Sequence, residues 1–199
     1  IRSVGKVTDE IFEKQAGDIL FLRGAYGKGW PVDQFKGKHV VVITGGTGLA
    51  PVKSMLNKFY DEPDFTKSVH LISGFKNEDG IIFKGDLERW KERFDTIYAL
   101  DKDHKDGWET GFVTEFVSRI PFNEFGDDYA VVVVGPPPMM KFTGFEVIRQ
   151  GVPEEKIWMS FERKMSCAVG KCGHCRIDEV YVCLDGPVFN YTQAKYLVD

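Results

Sequence analysis

Five short runs of apolar residues, separated by segments of helical character, constrain the fold of this chain most strongly. The runs lie at residues 39–44, 69–73, 96–100, 130–134 and 156–159. The first and fourth are nearly continuous in valine and isoleucine, which is typical of strands that are buried on both faces. Helical patterns lie between them at residues 49–60, 83–94, 112–120 and 139–150. This alternation over short links predicts an α/β fold with a doubly wound, parallel, five-stranded sheet.

The regions on either side of this pattern have a different character. Residues 1–35 hold short apolar stretches broken by glycine, and we expect them to form part of a small antiparallel β unit. The sequence begins without methionine, in a stretch typical of the middle of a strand, so we expect an upstream region in the complete protein. Residues 36–159 are predicted to form the α/β domain, and residues 160–199 a compact appendage.

Composition narrows the class of protein. The hydrophobic fraction of 43% is sufficient for a core, and a net charge of -4 with mixed signs argues against a nucleic-acid partner. The longest apolar runs are too short to cross a bilayer, and no charged-then-apolar leader is visible at the start. We therefore expect a soluble, cytoplasmic protein without a membrane span.

A glycine-rich turn between the first strand and its helix is the first candidate ligand site. Glycine lets the backbone approach a ligand closely, and a helix N-terminus offers N–H groups and partial positive charge to a pyrophosphate. The motif departs from G-x-G-x-x-G, because Pro51 replaces the third glycine and Lys76 lies where an acid is usual after the second strand. A tight turn without a ligand is the alternative. The candidate residues are Gly45, Gly46, Thr47 and Gly48.

A second loop follows the fourth apolar run, where the carboxyl ends of parallel strands bind ligands. Its sequence is Gly135-Pro136-Pro137-Pro138-Met139. Three prolines stiffen the loop, and Gly135 is expected to leave room for a flat ring. A rigid strand-to-helix link without a ligand is the alternative. Gly135, Pro136 and Met139 are the candidate site residues.

The four cysteines all lie within one short segment, and this clustering favours metal binding over disulfide formation. They are Cys167, Cys172, Cys175 and Cys183, spaced C-x4-C-x2-C-x7-C. The first three match the plant-type [2Fe-2S] spacing. Ala168, Gly170 and Gly173 are small residues that would let backbone N–H groups turn toward the cluster. Zinc and free thiols stay open as alternatives, although only one pair has the C-x2-C spacing of a zinc knuckle.

The two loops together resemble the NAD(P) domain of the ferredoxin–NADP reductase superfamily. The resemblance implies that the first loop holds the pyrophosphate of NAD(P)H and that the second lies beside the nicotinamide. Gly5, Val7 and Thr8 resemble the second flavin motif of the family's FAD-binding β-barrel, which contacts the FAD pyrophosphate. Residues 1–35 would then be a partial N-terminal antiparallel β-barrel remnant. The family's first flavin motif is absent from this sequence.

The cysteine segment resembles that of the dihydroorotate dehydrogenase electron-transfer subunit. It resembles more closely the corresponding subunits of two other branches, the anaerobic sulfite reductases and the sulfhydrogenases, whose member is the gamma subunit. The ending at residues 190–199 favours the sulfite reductase branch. This resemblance implies an electron-transfer subunit that passes electrons from NAD(P)H through FAD and a [2Fe-2S] cluster to iron–sulfur and catalytic subunits of a redox complex. A hydrogenase- or ferredoxin-linked oxidoreductase subunit is the alternative, and a zinc- and nucleotide-binding regulatory module is a remote one.

No catalytic side chain is expected, because in such a chain the cofactors carry the chemistry. Lys76 could pair with the 2′-phosphate of NADPH. The sequence has no cluster of basic residues at this position, which favours NADH over NADPH.

Overall fold

Nine strands are present in the structure, a computed structural model that describes residue 1 and residues 3–197. Seven of them form one sheet with the order β4-β3-β2-β1-β5-β6-β9, and two form a separate hairpin. The first six strands run parallel to their neighbours, and the last runs antiparallel. Their bounds are β1 (His39–Gly45), β2 (Ser68–Phe75), β3 (Asp95–Leu100), β4 (Glu109–Thr110), β5 (Tyr129–Val134), β6 (Ile157–Ser160), β7 (Arg176–Ile177), β8 (Val180–Tyr181) and β9 (Val188–Asn190).

Helices cover both faces of this sheet. Within the described part of the chain, no helix is both long enough and apolar enough to span a membrane. The α-helices are α1 (Lys6–Phe12), α2 (Lys53–Asp61), α3 (Lys84–Trp90), α4 (Pro137–Arg149) and α5 (Tyr191–Ala194). Short 3-10 helices add Val32–Phe35, Gly46–Val52, Glu78–Gly80, Val113–Arg119, Phe122–Glu124 and Glu154–Lys156.

All five predicted strands are confirmed, but the predicted strand count is wrong. β4 adds two residues beyond β3, and β9 adds three residues at the opposite edge. Strands this short carry too few residues to show a two-residue alternation. β9 also comes from the segment predicted to be an appendage, so that segment extends the nucleotide-binding sheet.

The predicted antiparallel β unit at residues 1–35 is not observed, and this is a correction. The described residues there contain α1, a short 3-10 helix and irregular chain. A strand needs a neighbour for its backbone hydrogen bonds, and in the described structure only Lys28 pairs, through a single bridge to Pro187. The first turn is helical because the Thr8 hydroxyl accepts hydrogen bonds from the N–H groups of Val4 and Gly5.

Alternate residues of the central strands pack into two hydrophobic layers. Val40 and Val42 face the layer that holds α2 and α3, whereas Val41 and Ile43 face the layer that holds α4. The second layer also contains Phe189 and two of the candidate metal ligands, Cys175 and Cys183. The cysteine segment and the α/β domain therefore share one core, where each large side chain contributes roughly 1.5–3 kcal/mol when buried.

Candidate functional site

The carboxyl ends of β1, β2, β3 and β5 open onto a cavity of about 670 Å³. Its walls are the glycine-rich turn, the ends of β2 and β3, the start of α4 and several exposed aromatic rings. Concave, mostly apolar cavities with a few polar groups are the usual form of cofactor sites. The lining residues are Gly45, Gly46, Gly74, Phe75, Lys76, Asp101, Phe112, Val113, Thr114, Pro136, Pro138, Met139 and Phe142.

The two glycine-bearing loops are in direct contact with each other. A Cβ on Gly48 would lie 2.4 Å from the carbonyl oxygen of Val134, and one on Gly135 would lie 2.7 Å from the sulfur of Met139. These glycines are therefore required for packing between the loops. Gly46 differs, because its φ is +55° and the space beside it is open. Where the sequence predicted room for a flat ring beside Gly135, the structure places the Met139 side chain.

The start of α4 differs from an ordinary helix N-terminus. Pro136 caps the helix, and prolines occupy its first two positions. Proline fits there because its fixed φ suits the first turn, but it offers no N–H group. The 3-10 turn Gly46–Val52 is the better source of backbone donors for a phosphate, since most of its first residues keep their N–H groups.

A second cavity of about 300 Å³ lies on the other side of Pro136. It extends from Thr47, Gly48 and Gly135 to the end of β6 and the residues after it, which lead into the cysteine segment. Pro136 borders both cavities. The glycine-rich turn thus lies between a large cavity toward β2 and β3 and a smaller one toward the cysteines.

Backbone N–H groups of the cysteine loop point at the cysteine sulfurs. Those of Val169, Lys171 and Cys172 lie 3.5, 3.3 and 3.4 Å from the Cys167 sulfur, and that of Gly170 lies 3.2 Å from the Cys183 sulfur. Positive φ angles at three loop residues produce this inward turn, as the small residues predicted: Ala168 (58°), Gly170 (70°) and Gly173 (77°).

These N–H groups favour the thiolate form of the outer cysteines. The Val169 N–H, with those of Lys171 and Cys172, lowers the pKa of the Cys167 thiol. The His174 N–H lowers the pKa of the Cys172 thiol to about 7. Burial has the opposite effect on Cys183 and raises its pKa. Thiolates are the form of cysteine that binds metal, so the exposed half of the loop is electrostatically prepared for this role.

The four sulfurs fall into two interacting pairs, Cys167 with Cys172 and Cys175 with Cys183. Among the described residues, no three His, Cys, Asp or Glu side chains surround a single point as the ligands of one metal ion do. Two pairs of thiolates with inward N–H groups suit a two-iron cluster, in which each iron takes two protein sulfurs. The donor set therefore fits a [2Fe-2S] group.

The predicted flavin residues lie far from these loops in sequence, at the start of α1. The Thr8 hydroxyl donates to the Gly5 carbonyl and accepts from the Gly5 N–H, so both residues form the helix cap. The Val7 side chain is 72% exposed. Contact of Gly5, Val7 and Thr8 with a flavin stays a prediction.

Two charged residues were missed by sequence reasoning. Asp101 directly follows β3 and lines the large cavity, and a search for acids after every strand end would have found it. Arg23 donates to the carbonyl oxygen of Cys167 at 3.0 Å. These two residues are 144 positions apart, so no local sequence pattern could have predicted the contact.

Fold and site define an oxidoreductase that binds NAD(P) and carries an iron–sulfur segment. The family "Oxidoreductase NAD-binding domain" matches residues 42–144, and "Iron-sulfur cluster binding domain of dihydroorotate dehydrogenase B" matches residues 162–195. The second match contains all four cysteines.

Curated relatives agree with these matches. The sulfhydrogenase 2 gamma subunit of Pyrococcus furiosus is 33% identical over 98% of this chain and 73% of its own length. A probable dihydroorotate dehydrogenase B (NAD(+)) electron transfer subunit from the same organism is 33% identical over 97% of this chain and 70% of its own length. This chain belongs to the ferredoxin–NADP reductase superfamily, together with these electron-transfer subunits.

Solved structures support the fold. That of an NADH-dependent reduced ferredoxin–NADP oxidoreductase superposes with a TM-score of 0.69 at 24% identity, over 99% of this chain and 69% of that one. A ferredoxin NADP+ reductase from Neisseria gonorrhoeae, with bound FAD and NADP, superposes with a TM-score of 0.62 at 21% identity, over 80% of this chain and 70% of that one. The relatives named above give no support to the narrower resemblance to a sulfite reductase.

Proposed function

We propose that this chain is an electron-transfer subunit that takes electrons from NAD(P)H and delivers them, through FAD and a [2Fe-2S] cluster, to a partner redox subunit. The observation that carries this proposal is the placement of two adjoining cavities beside the cysteine loop. When bound, the nucleotide supplies an electron pair, the flavin divides it, and the cluster carries single electrons.

The dinucleotide would lie across the glycine-rich turn. The large cavity, with Phe112 and Phe142 at its wall, suits the adenosine half, because aromatic rings pack well against a flat base. Gly46 and its neighbours would take the pyrophosphate. The nicotinamide would then enter the smaller cavity, bounded by Thr47, Gly48 and Gly135, on the side of the cysteines.

The smaller cavity is close to the cysteine loop along the chain. Arg163 lines this cavity, and Cys167 follows four residues later. Four residues span at most about 14 Å when fully extended. A redox centre held in this cavity would therefore be near enough to the cluster for direct electron transfer. The four cysteines would be the ligands of that cluster, with Cys167 and Cys172 on one iron and Cys175 and Cys183 on the other.

The partner is proposed from the relatives. They support a hydrogenase or a dihydroorotate dehydrogenase type of complex, so we give these two priority over the sulfite-reducing complex that the C-terminal sequence favoured. FAD would contact Gly5, Val7 and Thr8 at the start of α1.

Cofactor analysis of the full-length protein, prepared without oxygen, tests the proposal. We expect about two iron and two acid-labile sulfide per chain, bound flavin, and visible absorption that is bleached by NADH. Cys172→Ser and Cys183→Ser should each lose iron. Ser166→Ala changes the same loop without removing a thiolate, and it should keep the cluster.

A colourless protein that contains zinc without sulfide would overturn the proposal in favour of the zinc- and nucleotide-binding regulatory module. Assays of the intact complex with hydrogen, dihydroorotate and sulfite then separate the three partner classes, because each class reacts with only one of these substrates.

A further inference from the structure

One acid and one base occupy neighbouring positions at the carboxyl edge of the sheet. β2 and β3 are paired so that Phe75 lies opposite Leu100, and the N–H of Asp101 donates to the Phe75 carbonyl oxygen at 3.0 Å. Lys76 and Asp101 therefore leave the two strands at the same level. No acid follows β2, but the third strand supplies one at the adjoining position.

Both side chains belong to a cavity that is otherwise uncharged. Among the residues that line it, Lys76 and Asp101 are the only ionisable ones, and Thr114 is the only other polar side chain. These two residues consequently decide which charge on a nucleotide the cavity accepts.

Burial and neighbouring charge act on Asp101 in opposite directions. Partial burial raises the pKa of its carboxyl group, and the ammonium groups of Lys76 and Lys102 lower it. Lys76 is thus electrostatically coupled to Asp101. A base that already interacts with a carboxylate attracts a second anion less strongly.

The chemistry of the two nucleotides differs at a single group. The adenosine ribose of NADH carries a 2′-hydroxyl, which can donate a hydrogen bond to a carboxylate. NADPH carries a phosphate there, which a carboxylate repels. At about 4 Å and an effective dielectric constant of 20, a unit charge pair interacts by about 4 kcal/mol, and partial exposure reduces this effect to a smaller value.

We propose that Asp101 selects NADH over NADPH by accepting a hydrogen bond from the adenosine ribose and repelling a 2′-phosphate. Lys76 is held by Asp101 and does not act as a phosphate receptor. This inference rests on the proposed nucleotide-binding function, and it assigns the specificity to the end of β3.

Binding of two nicotinamide-free probes to the full-length holoprotein tests the inference. ADP-ribose and 2′-phospho-ADP-ribose differ only in the phosphate, and neither can reduce the flavin, so their dissociation constants are measured by calorimetry without turnover. We expect the wild type to bind ADP-ribose at least about tenfold tighter. Asp101→Asn should reduce this ratio about tenfold by weakening ADP-ribose and strengthening the phosphorylated probe.

A matched control is Glu78→Gln, which removes a carboxylate near the same edge but outside the cavity, where Glu78 pairs with Lys105. Its ratio should equal that of the wild type. In Asp101→Asn/Lys76→Gln, the gain for the phosphorylated probe should disappear, because Lys76 is then absent.

Two results would overturn the inference: a wild type that prefers 2′-phospho-ADP-ribose, or an Asp101→Asn ratio unchanged from the wild type. Both results still include nucleotide binding. Failure of the wild type to bind either probe would instead contradict the nucleotide-binding function itself, so the two failures are distinguishable.

Discussion

Single glycines set the spacing between the two loops of the nucleotide site. Gly48 lies against the backbone of Val134, and Gly135 lies against Met139 and Gly45. Backbone atoms cannot move aside as a flexible side chain can, so the first of these contacts is the less tolerant. The same residues that a motif search assigns to ligand binding are thus required for the fold of the site.

Gly48→Ala is expected to destabilise the protein by about 1–3 kcal/mol, the usual cost of overpacking. The added Cβ would lie 2.4 Å from the Val134 carbonyl oxygen, so the loop or β5 must shift. Chemical denaturation of the two proteins measures the difference in the free energy of unfolding.

Gly85→Ala is the matched control, because Gly85 lies in α3 and its Cβ would meet nothing within 4 Å. Alanine has the higher helix propensity, so this variant should be unchanged or more stable by up to about 1 kcal/mol. Equal stabilities of the two variants would contradict a packing role for Gly48.

At the scale of elements, the amino-terminal ends of three strands share a polar chain. His39 of β1 lies 2.8 Å from the Ser68 hydroxyl of β2, that hydroxyl lies 3.0 Å from His70 Nε2, and His70 Nδ1 lies 3.3 Å from an Asp95 oxygen of β3. The Phe125 ring packs against both imidazoles. This chain joins the edge of the sheet opposite the nucleotide cavity.

The chain predicts a pH dependence of stability. Burial lowers the pKa of His70 below 6.5, although Asp95 opposes this effect and His39 adds to it. The unfolded chain therefore binds a proton first as the pH falls below about 6.5, and stability decreases from there down to the folded pKa. The loss of melting temperature between pH 7.5 and 5.5 should be smaller in His70→Asn than in the wild type.

His104→Asn provides the comparison, because the His104 side chain is 82% exposed. Its loss between the two pH values should match that of the wild type. An equally large loss in His70→Asn would assign the pH dependence to other groups.

The elements that sequence predicted are those with long, periodic apolar patterns. The run at residues 130–134 is fully buried as β5, and the expected helix after it is α4. β9 was not predicted, since its three residues become a strand only because β6 offers a free edge. The cysteine loop was predicted from spacing alone, whereas Asp101 required knowledge of which strands are neighbours.

At the scale of the whole molecule, the segment before the α/β domain contacts the cysteine segment at two places. Arg23 donates to Cys167, and the Lys28 N–H and carbonyl bond to the backbone of Gly186 and Val188. A guanidinium is therefore held beside a ligand of the proposed cluster.

Arg23→Gln should lower the reduction potential of the cluster, because a positive charge favours the reduced form, which carries one more electron. The expected change is on the order of tens of millivolts for a partly screened charge. A potentiometric titration followed by EPR measures it.

Arg93→Gln neutralises a positive charge that lies beside Tyr60 in the layer of α2 and α3. This variant should keep the wild-type potential. If Arg23→Gln also keeps that potential at full cluster occupancy, the Arg23 charge has no influence on the cluster.

The antiparallel ladder between β6 and β9 has a mechanical meaning. Ser160 is paired with Val188 and Met159 with Phe189, so the sheet that carries the nucleotide site continues into the segment that carries the cysteines. The cluster would be mounted as a fixed relay and not carried on a swinging arm. Any gating of electron flow must then come from the arrival of the nucleotide or from the docking of the electron acceptor.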